Sequence, residues 1–172
     1  MSDLIIRTTL EADLPEITEI YAAEVLHHVA TFEEVPPTTA EMTERWRTIL
    51  GQGYPHRVAV LDGRVLGYAY ASVYRTRPAY RHTVEGSIYL APDARGRGVG
   101  KALLADLLRE CEAGPWQQMV AVIGDSANAA SIGLHKSQGF RMVGTLEAVG
   151  FKHGRWVDTV LMQRALTPAA QE

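Results

Sequence analysis

Three glycines and three basic residues form a short segment that could bind an anion. They follow one another as Arg95, Gly96, Arg97, Gly98, Gly100 and Lys101, with Val99 opening an apolar helical pattern. Glycine lets the backbone approach a ligand closely, and the N-terminus of the following helix offers unpaired N–H groups at the positive end of its dipole. The segment is therefore predicted to bind a phosphate. The competing interpretation is a tight turn that binds nothing.

The spacing of these glycines excludes two familiar nucleotide loops. A Walker A loop needs a glycine five residues before Gly100 and a serine or threonine after Lys101, where this chain has Arg95 and Ala102. A dinucleotide fingerprint needs a further glycine at position 101 or 103, and these positions hold lysine and leucine. The pattern Gln/Arg-x-x-Gly-x-Gly/Ala does fit, beginning at Arg95.

A second motif lies downstream, where Asn128 and Ser131 are followed by His135 and by a glycine–phenylalanine pair at 139–140. Together the two segments resemble the signatures of the GNAT acetyltransferases. The resemblance implies an α/β fold with a mixed, mostly antiparallel sheet between helices. It also implies acetyl-CoA as co-substrate, with the pyrophosphate on the glycine segment and the rest of the molecule along Asn128, Ser131 and the strand residues Ile88, Tyr89 and Leu90.

Over nearly its whole length the chain is similar to the phosphinothricin and methionine sulfoximine acetyltransferases. The similarity lies in residues 31–32, 53–55, 83–85, 121–123, 131–135 and 150–156. This closer resemblance implies acetyl transfer to the α-amino group of a small amino-acid-like acceptor, usually by a homodimer.

The reaction needs a base, because a model α-amino group titrates near ~8 and is mostly protonated at neutral pH. Glu85 is the predicted base, since it lies in the strand that leads into the glycine segment and matches the proposed base of the relatives. A solvated strand carboxylate is the alternative. The backbone near Leu90 is expected to donate to the developing oxyanion if its strand separates from a neighbour. His135 matches a position where many GNAT enzymes have tyrosine, and its role as acid, second base or structural residue stays open.

The acceptor's carboxylate calls for arginine, which pairs with such groups through two hydrogen bonds. The predicted acceptor site lies around a basic segment before Glu85 and comprises Phe32, Arg75, Thr76, Arg77, Tyr80, Gly86 and Ser87, with Arg81 beside them. Phe32 is expected to form an apolar wall, while Glu33 and Glu34 add charge that could favour a more cationic acceptor. A third group, Lys152, His153, Trp156 and Asp158, matches the relatives' C-terminal segment and is expected to border this pocket or that of a dimer partner.

Strands and helices alternate in a way that fits these positions. Strands are predicted at residues 4–8, 57–61, 65–74, 83–90, 119–123, 141–148 and 156–163, the fifth being buried and central. Helices are predicted from Leu14, at 39–50, from Val99 and at 129–138, with Thr39 as an N-cap that lacks a capping box. Asp62-Gly63 predicts a hairpin. We expect one domain over residues 1–166 and a frayed tail at 167–172.

The composition of the chain argues against several classes of binding partner. The 172 residues are 47% hydrophobic and 22% charged, with a formal net charge of −3, as in an ordinary globular protein. The mild acidity argues against nucleic acid, and a single cysteine without metal-ligand histidine spacing argues against a metal. Neither a secretory start nor an apolar run of ~20 residues is present, so a cytoplasmic protein without membrane contact is expected.

Three alternatives remain open at this point. A GNAT enzyme could acetylate a polyamine, an aminoglycoside or a protein N-terminus instead of an amino acid. A CoA-binding sensor without turnover would keep the glycine segment and lose groups such as Glu85, whose presence argues against it. A purely structural α/β module would need neither motif.

Overall fold

The computed structural model describes residues 3–166, which form one sheet of seven strands and four α-helices. The predicted tail at 167–172 lies outside the described residues. The strands are β1 (Ile5–Thr8), β2 (His56–Leu61), β3 (Arg64–Val73), β4 (Thr83–Leu90), β5 (Gln118–Gly124), β6 (Arg141–Lys152) and β7 (Arg155–Ala165). The helices are α1 (Leu14–His27), α2 (Thr39–Gly51), α3 (Val99–Glu112) and α4 (Ala129–Ser137).

The sheet has the order β1-β2-β3-β4-β5-β7-β6, and only the β4–β5 pair is parallel. Neighbouring residues of β4 point to opposite faces. Tyr89 contacts Tyr21 of α1 on one face, while Leu90 packs against Gly100 of α3 on the other. The predicted mixed sheet between helices is therefore confirmed.

The parallel pair separates halfway along its length. Its hydrogen-bonded register begins at Thr83 and Gln118 and ends at Gly86 and Ala121. Beyond that point β4 continues to pair with β3, and β5 continues to pair with β7. The two strands therefore leave an opening in the middle of the sheet, with a free backbone edge on each side.

Local chemistry explains two of the connections. Asp62 and Gly63 both have positive φ, 51° and 77°, which is the backbone that a two-residue hairpin turn requires. The predicted cap of α2 was wrong by one residue. Thr38 caps the helix in a capping box with Glu41, because Thr38 keeps an extended backbone and lies three residues before that glutamate.

The central strand β5 differs from its prediction in burial. Met119, Ala121 and Ile123 are buried, but Val122 is 41% exposed. The continuous apolar run indicated burial on both faces. The opening beside β4 leaves Val122 in the lining of a cleft, so one face of β5 is accessible there. In the part of the chain that the structure describes, no helix is long and apolar enough to cross a membrane.

Candidate functional site

A cleft lies where β4 and β5 separate. It encloses about 390 Å³, including the part open to solvent. It is lined by one loop residue, both strands and α4: Ala30, Gly86, Ser87, Ile88, Tyr89, Ala121, Val122, Ile123, Gly124, Asn128, Ser131 and His135. The predicted residues Ile88, Tyr89, Asn128 and Ser131 thus share one cleft with His135. A linear molecule can enter this opening and pair with the free edge of β4.

The glycine segment forms the turn between β4 and α3. Gly96 and Gly98 have φ of +71° and +81°, a backbone that other residues adopt only with strain, and Gly98 is the N-cap of α3. Gly100 has another reason to be glycine, because a Cβ there would come within 3.2 Å of the Leu90 side chain. The segment therefore presents backbone N–H groups at the start of α3, close to the end of β4.

The three basic side chains of this segment have different surroundings. Arg97 and Lys101 are exposed beside the start of α3. Arg95 instead forms an ion pair with Glu24 of α1, whose carboxylate is only 6% exposed. Arg95 therefore links the glycine segment to α1, a connection across 71 residues that the sequence pattern did not indicate.

His135 enters the cleft from α4 with 4% of its surface exposed. Its Nδ1 lies 2.7 Å from the main-chain oxygen of Ser131. A carbonyl only accepts, so Nδ1 must donate and the neutral ring keeps a lone pair on Nε2. Burial lowers the pKa of His135, which favours this neutral form. Asn128 accepts from the N–H of Ser131 and caps α4, which holds the histidine's helix in place.

Glu85 lies on β4 directly before the point where the strands separate. Its side chain points to the same face as Ser87 and Tyr89, toward α1. Burial raises the pKa of Glu85, and the charge of Arg75 opposes that effect. The structure therefore places Glu85 on the α1 face, whereas His135 approaches the cleft from α4. The two groups flank the opening and do not form a direct pair in its lining.

The predicted arginine group lies at the other end of β4, in the connection from β3. Arg75, Thr76, Arg77 and Tyr80 are all exposed there. The guanidinium of Arg75 lies 5.2 Å from the centre of the Tyr74 ring, and Tyr74 contacts Tyr80 edge-on. The charge of Arg75 acts on Glu85, but the group as a whole lies outside the cleft lining.

The loop from residue 28 to residue 38, here called the α1–α2 loop, closes the remaining side. Its Ala30 lines the cleft, and Phe32 is 40% exposed. Glu33 accepts two hydrogen bonds from Arg45 of α2, at 2.7 and 3.1 Å, and another from the hydroxyl of Tyr21. These bonds lower the pKa of Glu33 and offset its charge. Arg45 therefore compensates the charge of Glu33, while the expected preference for a more cationic acceptor stays a prediction.

Tyr70 is the functional candidate that the sequence did not reveal. It pairs with Ser87 across the β3–β4 ladder, and the two side chains share a hydrogen bond. The charges of Glu85 and of Glu33 both act on its hydroxyl. Tyr70 therefore lies on β3 beside the strand of the predicted base, and its side chain points to the same face as that of Ser87. No local motif surrounds it, so only the strand register identifies it.

The C-terminal group divides between the core and the surface. Lys152 is 1% exposed, whereas Trp156 is 67% exposed. His153 lies in the β6–β7 turn with a φ of 51°. Asp158 accepts from the Ser126 hydroxyl and from the N–H of Ala148, so it joins the segment after β5 to the irregular part of β6. Within residues 3–166, no three histidine, cysteine or carboxylate side chains are grouped as metal ligands.

Known proteins resemble this chain over most of its length. Residues 16–140 match the model of the Acetyltransferase (GNAT) family. The chain is 55% identical over 161 residues to the phosphinothricin N-acetyltransferase of Alcaligenes faecalis, which covers 94% of this chain and 82% of that protein. It is 43% identical over 164 residues to the L-methionine sulfoximine/L-methionine sulfone acetyltransferase of Pseudomonas aeruginosa, covering 95% of each.

A solved structure shows the same arrangement. It is a GNAT superfamily phosphinothricin acetyltransferase from Sinorhizobium meliloti in complex with acetyl-CoA, with a TM-score of 0.94 and 53% identity. The match covers 98% of this chain and 92% of that one.

Proposed function

The chain belongs to the GNAT family of acetyltransferases, and from this premise we propose that its acceptor is a small amino acid of the phosphinothricin or methionine sulfoximine type. The protein is an acetyl-CoA-dependent N-acetyltransferase. One observation supports the acceptor above all: Arg75 follows the end of β3, which pairs with β4 at Glu85, and the charge of Arg75 acts on that carboxyl. The two residues offer a base for an amine and a cation for a carboxylate at neighbouring positions of the sheet.

The cleft fits acetyl-CoA, whose thioester supplies the acetyl group. We assign the pyrophosphate to the N–H groups of Gly96, Gly98 and Gly100, with Arg97 and Lys101 adding charge. The free edge of β4 at Ile88 and Tyr89 suits the amide-containing arm, which can pair with a strand. The N–H of Leu90 is the proposed donor toward the oxygen that becomes negative.

Glu85 is the proposed base for the acceptor amine. Burial raises its pKa, and a deprotonated carboxylate with a raised pKa is a better proton acceptor. For His135 the hydrogen bond to Ser131 supports one of the roles left open by the sequence. A neutral ring with a free lone pair on Nε2 accepts a proton more readily than it donates one, so we assign it as a second acceptor at the cleft.

The acceptor's carboxylate is assigned to Arg75 and Arg77, with Thr76, Tyr80, Gly86 and Ser87 around it. Pairing of Glu33 with Arg45 removes a charge that would repel such an anion. Phe32 supplies the apolar wall. Exposed apolar side chains on β6 and β7, among them Phe151 and Trp156, support the expected homodimer. A cytoplasmic location is part of the same proposal.

A thiol-release assay with acetyl-CoA tests the acceptor. The panel contains phosphinothricin, methionine sulfoximine, methionine sulfone, ordinary amino acids, spermidine, an aminoglycoside and a short peptide. We expect turnover with the first three compounds and loss of turnover when the acceptor's carboxylate is converted to an amide. Faster turnover of spermidine or the peptide would contradict the proposal, and acetyl-CoA binding without any turnover would support the sensor instead.

A further inference from the structure

Lys152, near the end of β6, is a buried cation that the proposed chemistry does not use. Only 1% of its surface is exposed. Its Nζ donates to the main-chain oxygen of Thr31 over 2.8 Å, joining residues 121 positions apart. Burial lowers its pKa, while the charges of Glu24, Glu34 and Glu33 oppose that effect. Burying a charge costs free energy, so an apolar residue at position 152 would give a more stable protein unless the hydrogen bond to Thr31 has a role.

The bond partner of Lys152 belongs to the α1–α2 loop, directly before Phe32. The same strand also holds that phenylalanine, since a Cβ at Gly150 would come within 2.5 Å of the Phe32 ring. Two residues of β6 therefore determine where this part of the loop lies. Tyr21 and Arg45 hold the next part through Glu33.

The position of this loop affects the cleft directly. The main-chain oxygen of Val29 lies so close to Gly124 that a Cβ there would come within 2.1 Å of it. Ala30, the next residue, lines the cleft. A displacement of Thr31 would therefore move Ala30 on one side and Phe32 on the other.

We propose that Lys152 is a positioning residue for the acceptor, which fixes the Thr31 carbonyl and thereby places Phe32 against the bound substrate. It does not touch the reacting atoms. This inference rests on the proposed function, because it takes Phe32 to contact the acceptor. It assigns to a side chain of the last hairpin a role in acceptor selection, whereas acetyl-CoA binding, which relies mainly on the glycine turn and β4, depends on it little.

Lys152→Met tests the inference, because methionine keeps the length and volume but has no N–H. We expect the acceptor KM to rise on the order of tenfold, as for loss of one charge-assisted hydrogen bond, with the acetyl-CoA KM within about twofold. Hydrogen exchange should accelerate in residues 29–34 of the free protein. Lys152→Arg keeps a charged donor and should recover part of the acceptor KM. Lys136→Met makes the same change at an exposed site on α4 and should leave all three measurements unchanged.

A second variant serves if Lys152→Met does not fold. Gly150→Ala forces the Phe32 ring to move and leaves the lysine in place, so it should raise the acceptor KM and the exchange of residues 29–34. In a Phe32→Ala background, Lys152→Met should add little to the acceptor KM, because both changes remove the same contact. Unchanged acceptor KM and exchange in Lys152→Met or Gly150→Ala, or full additivity with Phe32→Ala, would overturn the inference. Failure of the proposed function is distinguishable, since wild-type protein would then not acetylate the panel while the exchange result would still stand.

Discussion

The cofactor side and the acceptor side proposed for this enzyme are built from different kinds of chemical group. On the cofactor side, the turn at Gly96–Gly98 and the free edge of β4 offer backbone groups, and their placement depends on neighbours in the chain. The acceptor side consists of side chains from distant elements, such as Arg45 against Glu33 and Lys152 against Thr31. A backbone site can keep one ligand through many sequence changes. A site of side chains can change its substrate when a single residue changes.

This difference implies that a variant on one side should change the use of only one of the two substrates. Changes in the turn should alter acetyl-CoA binding alone, and changes around Glu85 or the α1–α2 loop should alter the use of acceptor alone. Three experiments test that separation, beginning with the largest expected effect.

Glu85→Gln should lower kcat/KM for the acceptor on the order of 10²- to 10⁴-fold, because the amine loses its base. Acetyl-CoA affinity should stay within about twofold. In wild type the base must be deprotonated, so the rate should fall as pH decreases through the raised pKa of Glu85, and this acidic limb should vanish in the variant. Pre-steady-state thiol release from pH 5 to 9 measures both. Glu112→Gln, on the surface of α3, is the control. If the acidic limb of the pH–rate profile were unchanged in Glu85→Gln, a group other than Glu85 would be responsible for it.

Gly98→Ala should weaken acetyl-CoA binding by about tenfold, since its φ of +81° strains an alanine and tilts the N–H groups of the turn. Gly63→Ala is a matched control. It has a φ of +77° and equally open space for a Cβ, but it lies in the β2–β3 hairpin. Both variants should lose about 1–2 kcal/mol of unfolding free energy in urea. Only Gly98→Ala should alter the Kd for acetyl-CoA measured by calorimetry. Equal Kd values in the two variants would show that the turn does not contribute to acetyl-CoA binding.

Arg97→Ala and Arg75→Ala should each raise one KM by about two- to fivefold, for different substrates, as expected for exposed charges. The first should raise the KM for acetyl-CoA and the second the KM for the acceptor. Loss of Arg75 should also shift the acidic limb of the pH–rate profile to higher pH, because the charge of Arg75 opposes the rise in the pKa of Glu85. Steady-state kinetics at two salt concentrations measures these changes. If both variants raised the same KM, the two sides would not be separate.

Much of the fold and the cofactor side could be predicted from local patterns. The strand-turn-helix segment at Gly98, the Asp62-Gly63 hairpin and GNAT membership are all confirmed. Such features depend on residues within one turn or one strand. The capping residue of α2 was missed because Thr38 and Thr39 are chemically alike, and only backbone geometry decides between them.

The sequence by itself indicated the cofactor, through the resemblance of its glycine segment and of Asn128 and Ser131 to the GNAT signatures, and it named the residue types of the acceptor side. Only the tertiary structure decided how those residues are used. It showed the separation of β4 from β5, the ion pairs of Arg95 with Glu24 and of Arg45 with Glu33, and the hydrogen bond from Lys152 to Thr31. These contacts join residues between 12 and 121 positions apart, and no local pattern specifies which distant partner will neutralise a charge. The physical reason is that backbone conformation is set locally, whereas burial and ion pairing are set by packing.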